Sequence, residues 1–295
     1  MSDISADPAT ATRIDRETRL DYLALALSPL LTVDMIRTAF TDGPAAALRL
    51  SESTPHDAQA LRRRAVAELA TADAQGARII VPGDGEWPNR LDDLNADQQP
   101  GAPACLWVRG GYHLGEIMEK SVVLTGARAA TSYGLHTAGQ FAATLTEAGW
   151  TIANGGGFGA DSAAMRTALV AYDRSPCVVL LASGLNRPFP SPHAPLFEDM
   201  AAFGLLVSPF PFGTYPNRGA FTRRQDILTA MSSATLIVES VSGKLARSAK
   251  ALGRPLFAVP GPANSAYSAG CHALIRDGAR LVATARDFLD DIAAA

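Results

Sequence analysis

Residues 121–128 read Ser-Val-Val-Leu-Thr-Gly-Ala-Arg, and residues 150–161 read Trp-Thr-Ile-Ala-Asn-Gly-Gly-Gly-Phe-Gly-Ala-Asp. In each stretch a short apolar run ends at glycine and leads into a segment with helical periodicity, as a strand of a parallel sheet does. Backbone N–H groups and the helix dipole at such a turn can hold an anion. The two stretches therefore predict a phosphate-binding edge on a parallel sheet.

Strands and helices alternate strictly after residue 120. Strand-like runs are predicted at 121–125, 150–153, 177–182, 204–208, 235–239, 255–259 and 280–283. This alternation is typical of an α/β fold with a doubly wound, mostly parallel sheet, here assigned to residues 121–295. Ligands of such sheets bind beyond the carboxyl ends of the strands, so the loops that follow these runs should converge on one crevice.

The first 120 residues have a different pattern. Residues 1–16 lack hydrophobic periodicity and are predicted to form a flexible tail, whereas 17–75 have the periodicity of a small N-terminal helical domain. Residues 76–120 are punctuated by proline and glycine and are predicted to be a connector that packs on the sheet domain. Within it, Cys105-Leu106-Trp107-Val108 is predicted to be an edge strand.

Composition limits the classes of function. The 295 residues carry a net charge of −3, so any nucleic-acid site must be a local patch rather than a basic molecule as a whole. The three cysteines are far apart, and neither a signal-peptide pattern nor an apolar run of membrane-span length is present. These features predict a cytoplasmic protein without a membrane partner.

The glycine-rich turn is the first candidate binding element. It differs from the usual G-x-G-x-x-G dinucleotide pattern, follows the second strand of the sheet, and has no acidic residue at a clear ribose position, which disfavours a dinucleotide. Anion binding is predicted instead for the loop residues and for the arginine that follows the first turn. These residues are Asn154, Gly155, Gly156, Gly157, Gly159 and Arg128.

A second candidate element combines cations with an aromatic ring. Single-stranded nucleic acid needs positive charges for its phosphates and a ring on which a base can stack. Phe221 is flanked by Arg218, Arg223 and Arg224, and cations at a helix N-terminus oppose the dipole unless an anion joins them. Lys244, at a predicted helix start after Ser242-Gly243, is placed to join the same crevice.

Signals for catalysis are few. The five histidines have no metal-ligand spacing, and neither a G-x-S-x-G elbow nor a G-x-x-x-x-G-K-[ST] phosphate loop occurs. Asp161 and Glu239 are carboxylates near the crevice and could act as acid or nucleophile, although the plainer interpretation is that Asp161 orients the glycine loop. Binding without catalysis is therefore predicted, with no metal and no cofactor.

Several motifs in order resemble the DNA-processing protein A family (DprA, also called Smf). Gly126-Ala127-Arg128 resembles its G-S-R turn, and residues 154–161 resemble its S-G-x-A-x-G-I-D loop. Further strings similar to G-L-D-x-x-Y-P, F-P-x-R and the closing G-x-N-x-L-I-x-x-G-A lie at 184–190, 221–224 and 270–279. The resemblance covers most of the chain and implies an extended Rossmann-like fold.

The resemblance also implies roles for individual residues. Gly126 and Arg128 would hold a DNA phosphate, Phe221 would stack a base, and a cationic track would extend over Arg218, Arg224 and Lys244. It implies a mediator that binds single-stranded DNA, loads a RecA-type recombinase and forms a homodimer through residues near 235–290. The C-terminal winged helix of many relatives is expected to be absent.

Departures from the family pattern leave other functions open. Gln225-Asp226 replaces the usual continuation of the arginine motif and adds an anion at the expected DNA face, and the loop at Ser242 is short. A scaffold that binds only a partner protein is one alternative. Another is a nucleotide-binding sensor or a nucleotide N-glycosidic hydrolase of a related Rossmann-like family. Glu239 and the triple glycine favour this alternative.

Overall fold

The computed structural model describes residues 14–51, 55–96, 99–170, 176–240 and 244–294. The strands are β1 Ala77–Ile80, β2 Leu106–Arg109, β3 Ser121–Gly126, β4 Thr151–Asn154, β5 Val178–Leu180, β6 Leu205–Ser208, β7 Ala234–Val238, β8 Leu256–Ala258 and β9 Arg280–Leu281. The helices are α1 Arg16–Ala26, α2 Val33–Thr41, α3 Pro44–Ser51, α4 Pro55–Ala74, α5 Leu114–Glu119, α6 Ser132–Glu147, α7 Ala160–Val170, α8 Ala194–Phe203, α9 Arg218–Met231, α10 Lys244–Ala251, α11 Ala269–Arg276 and α12 Ala285–Ala293.

All nine strands join one sheet in the order β1-β2-β6-β5-β4-β3-β7-β8-β9. The strands from β3 to β9 pair in parallel, which confirms the seven strands predicted after residue 120 and the doubly wound, mostly parallel α/β fold. The chain runs outward from β3 to β6 and then returns to β7 on the other side of β3. The switch point of the sheet therefore lies between the carboxyl ends of β3 and β7.

The prediction of an edge strand at 105–108 is wrong. Strand β2 lies inside the sheet, antiparallel to β1 on one side and to β6 on the other, and Trp107 is fully buried. Strand β1, Ala77–Ile80, forms this edge of the sheet instead. The connector thus extends the sheet by two antiparallel strands rather than only packing on it.

Helices α1 to α4 pack against this antiparallel end. Arg19 donates hydrogen bonds to the Ile79 carbonyl (2.5 Å) and to the carboxylate of Asp84 (2.7 and 2.8 Å), which ties α1 to the segment after β1. Buried side chains from these helices belong to the same hydrophobic cluster as those of the sheet. Among the helices that the structure describes, none combines the length and apolar character needed to cross a bilayer.

Candidate nucleic-acid interface

Glycine allows the chain to pass closely at the switch point. A Cβ placed on Gly126 would lie 1.8 Å from the Val238 carbonyl oxygen and 2.8 Å from the Ala160 Cβ. Gly159 adopts φ +73°, and a Cβ there would lie 2.2 Å from the Ala127 carbonyl oxygen. These approaches bring β3, β7 and the glycine loop together and leave Arg128 exposed at the edge of the sheet.

The glycine loop uses much of its polar backbone internally. Gly156 N donates to Asn154 Oδ1 (2.9 Å), and Gly157 N donates to Asp161 Oδ2 (3.1 Å). The buried Asn154 side chain also donates to the Leu124 and Asp161 carbonyls. These groups therefore shape the loop, and the binding of an anion by Asn154, Gly156 and Gly157 stays a prediction. The structuring role predicted for Asp161 is confirmed.

The loop also forms a seat for Arg224. The Arg224 Nη1 donates to the Gly155 carbonyl (2.9 Å), and a Cβ on Gly155 would lie 2.3 Å from the Arg224 Cζ. Burial lowers the pKa of the Arg224 guanidinium, the charge of Asp161 acts in the opposite direction, and nearby Arg128 lowers the pKa further. An anion that approaches from solvent would therefore stabilise the charged form of this buried guanidinium.

Phe221 is the centre of a compact cluster of rings and cations. The Cζ atoms of Arg128 and Arg224 lie 5.5 and 5.3 Å from its ring centroid. The ring of Phe189 meets it edge-on at 5.8 Å and is 41% exposed. We call Arg128, Phe189, Phe221 and Arg224 the Phe221 cluster. Sequence reasoning missed Phe189, although its place in the motif at 184–190 was a signal.

Arg223 is not part of this cluster. Arg223 lies on another face of α9, where its Nη1 donates to the Pro100 carbonyl (3.3 Å). Burial lowers its pKa to about 10, against the opposing charge of Asp226. Arg218 is exposed at the start of α9. Lys244 begins α10, but its side chain lies outside the described residues, as do Ser242 and Gly243.

The carboxylate of Asp226 also lies away from the cluster. Asp226 Oδ1 accepts a hydrogen bond from Ser248 Oγ (2.6 Å), which places the carboxylate between α9 and α10. Residues three or four apart share a helix face, so Phe221 and Arg224 point together while Asp226 turns toward α10. The carboxylate of Asp226 is therefore engaged away from the Phe221 cluster.

A protein carboxylate occupies the helix N-terminus at the switch point. The buried Glu239, at the end of β7, accepts hydrogen bonds from Thr131 N (2.9 Å) and Thr131 Oγ1 (2.6 Å) just before α6. Its backbone adopts φ 50°, a conformation uncommon for residues other than glycine. Because this charge fills the place where related sheets hold a nucleotide phosphate, the geometry argues against the nucleotide-binding alternative.

We expect Glu239→Gln to lower the free energy of unfolding by about 1–3 kcal/mol, because a charged acceptor at a helix N-terminus is lost inside the protein. Urea unfolding followed by circular dichroism measures this effect. Glu147→Gln, at the exposed far end of α6, is the matched control and should change stability little. Equal stability of the two variants would contradict the structural role of Glu239.

The strand order, with its switch point, defines a Rossmann-like protein, and rings and cations line one edge of its sheet. A family model described as DNA recombination-mediator protein A matches residues 78–293. The chain belongs to this family.

Relatives and solved structures agree with this assignment. The chain is 37% identical over 237 residues to the DNA processing protein DprA of Mycobacterium tuberculosis, a match that covers 77% of the chain and 60% of that protein. It is 36% identical over 219 residues to the Smf protein of Escherichia coli, which covers 72% of the chain and 56% of that protein. The chain thus spans less than two thirds of the length of these relatives.

Two crystal-structure comparisons concern the fold alone. The DprA of Streptococcus pneumoniae superimposes with a TM-score of 0.76 at 22% identity, over 92% of this chain and 97% of that one. The DprA of Helicobacter pylori superimposes with a TM-score of 0.63 at 24% identity, over 74% of this chain and 96% of that one. Both confirm the Rossmann-like architecture.

Proposed function

We propose that this chain binds single-stranded DNA at the Phe221 cluster and performs no catalysis there. The observation that carries the proposal is one partly exposed ring with two guanidinium groups within 5.5 Å of its centroid. A base can stack on such a ring while the guanidinium groups contact the flanking phosphates, with little dependence on sequence. The structure of the H. pylori relative is described for its single-stranded DNA binding mode, which supports the same ligand.

The finer part of the proposal rests on the family. We infer a cytoplasmic recombination mediator that loads a RecA-type recombinase onto the bound strand during DNA processing or natural transformation. Self-association through residues near 235–290 would place two modest sites on one strand, and linkage would then raise affinity. The short edge strand β9 lies in this region, and Leu281 on it is 51% exposed.

Arg128→Ala should weaken binding of a labelled strand of about 30 nucleotides roughly tenfold, since a charge-assisted phosphate contact is lost. Fluorescence anisotropy at two salt concentrations measures this, and the logarithmic salt slope should fall by about 0.7 for one lost contact. Arg49→Ala, an exposed arginine on α3, is the control and should bind as the wild type does.

Two results would overturn the proposal in different ways. Equal affinity of the wild type and Arg128→Ala would remove the Phe221 cluster as the site. Failure of the wild type to bind at low salt would remove single-stranded DNA as the ligand and favour a scaffold that binds only protein.

A further inference from the structure

A second ring and cation pair lies outside the Phe221 cluster. The Arg187 Cζ lies 4.7 Å from the centroid of the Tyr215 ring, and Tyr215 is 64% exposed. Arg187 is also exposed. A large aromatic side chain that is mostly in solvent, with a guanidinium over its ring, has the same chemistry as the Phe221 cluster.

This pair is built by the same two segments that build the cluster. Arg187 and Phe189 come from the loop after β5, whereas Tyr215 and Phe221 come from the stretch that runs from residue 215 into the first turn of α9. Arg187 and Phe189 are two residues apart, so their Cα atoms lie within about 7 Å of each other. One segment thus presents a cation and a ring in succession, and each meets a ring of the other segment.

Hydrogen bonds hold the two segments in place. Gly184 N donates to the Thr214 carbonyl (3.0 Å), and Gly213 N donates to Asn186 Oδ1 (2.7 Å). The Asn217 side chain accepts from Ala220 N (2.9 Å) and fixes the start of α9 between the two rings. A platform that is already ordered loses less conformational entropy when a flexible strand binds.

We propose that Arg187 and Tyr215 form a second stacking step for single-stranded DNA, which takes the nucleotide next to the one on Phe221. The base stacks on the Tyr215 ring, and the guanidinium of Arg187 contacts the adjacent phosphate. The inference rests on the proposed function, because it extends the same DNA track. The bound strand would then run from the switch point toward the loop after β5.

The test compares strands of different length. We would measure anisotropy with labelled oligothymidines from about 4 to about 16 nucleotides, the range of single-strand site sizes. Tyr215→Ala should weaken binding of every strand in this range about 5- to 20-fold but binding of thymidine monophosphate, measured by competition, less than about twofold, because a single nucleotide is held at Phe221 alone. Arg187→Ala should follow the same length dependence.

Two controls separate stacking from folding. Tyr215→Phe keeps the ring and should bind the longer strands as the wild type does. Phe203→Ala removes an aromatic side chain that is 41% exposed at the end of α8, as exposed as Phe189, and should leave binding unchanged. Melting temperatures show whether each variant is folded.

The outcomes distinguish this inference from the proposed function. If Tyr215→Ala binds every length as the wild type does while Arg128→Ala binds weakly, the second step is wrong and the Phe221 site stands. If Tyr215→Ala weakens binding of the single nucleotide and of the strands equally, Tyr215 belongs to the first step and the inference is wrong. If the wild type binds no strand, the proposed function itself fails.

Discussion

Phe221→Ala should bind single-stranded DNA about 10- to 100-fold more weakly than the wild type, because base–aromatic stacking is worth about 1–3 kcal/mol. Its ring contacts both guanidinium groups and Phe189. The substitution therefore removes the stacking surface and also the ring against which the two guanidinium groups pack. The measurement is anisotropy with a labelled strand, together with quenching of a 2-aminopurine base within it.

Phe221→Trp is the matched control, since it retains a ring for stacking. It should bind within a few-fold of the wild type and preserve the quenching of 2-aminopurine. Undiminished affinity of Phe221→Ala, with the fold intact by circular dichroism, would show that the ring is a packing residue of α9 and not a DNA contact.

Gly126→Ala should lower the free energy of unfolding by about 3 kcal/mol or more, at the upper end of the overpacking range. The new Cβ would lie 1.8 Å from the Val238 carbonyl oxygen, a backbone atom of the neighbouring central strand that cannot move without disturbing β7. Because Arg128 follows two residues later, DNA affinity should fall as well. Urea unfolding measures the first effect and anisotropy the second.

Gly111→Ala is the control for this change. A Cβ there would meet nothing within 4 Å, and the residue has no positive φ, so stability should stay close to that of the wild type. If Gly126→Ala and Gly111→Ala unfold at the same urea concentration, the close approach of β3 and β7 does not constrain this position.

The parallel part of the fold could be predicted from sequence because its strands from β3 to β8 lie in apolar runs that alternate with segments of helical periodicity. The antiparallel end could not. Whether residues 105–108 form an edge or an interior strand depends on a partner some thirty residues earlier, Ala77–Ile80, and periodicity carries no information about such pairing. Residue types alone therefore predict β2 as the edge strand, whereas it is the second strand of the sheet.

The sequence predicts the meeting of three side chains because their positions in the motifs determine where these side chains point. Arg128 follows a glycine turn at the switch point, and Phe221 and Arg224 share a face of α9, so they meet. The glycine loop was harder, because a glycine-rich string does not reveal whether its N–H groups face solvent or the Asn154 and Asp161 side chains. Arg223 lies outside the Phe221 cluster because adjacent helical residues point in different directions.

The carboxylate of Glu239 occupies a position at which a phosphate could otherwise bind. Sheets of this topology commonly hold nucleotide phosphates at the helix that follows the first strand of the switch point, and here that helix begins at a side chain with its own negative charge. ATP and other free nucleotides are abundant in cells and would compete for such an anion seat. With this position taken by the chain itself, we expect no nucleotide phosphate to bind at the start of α6.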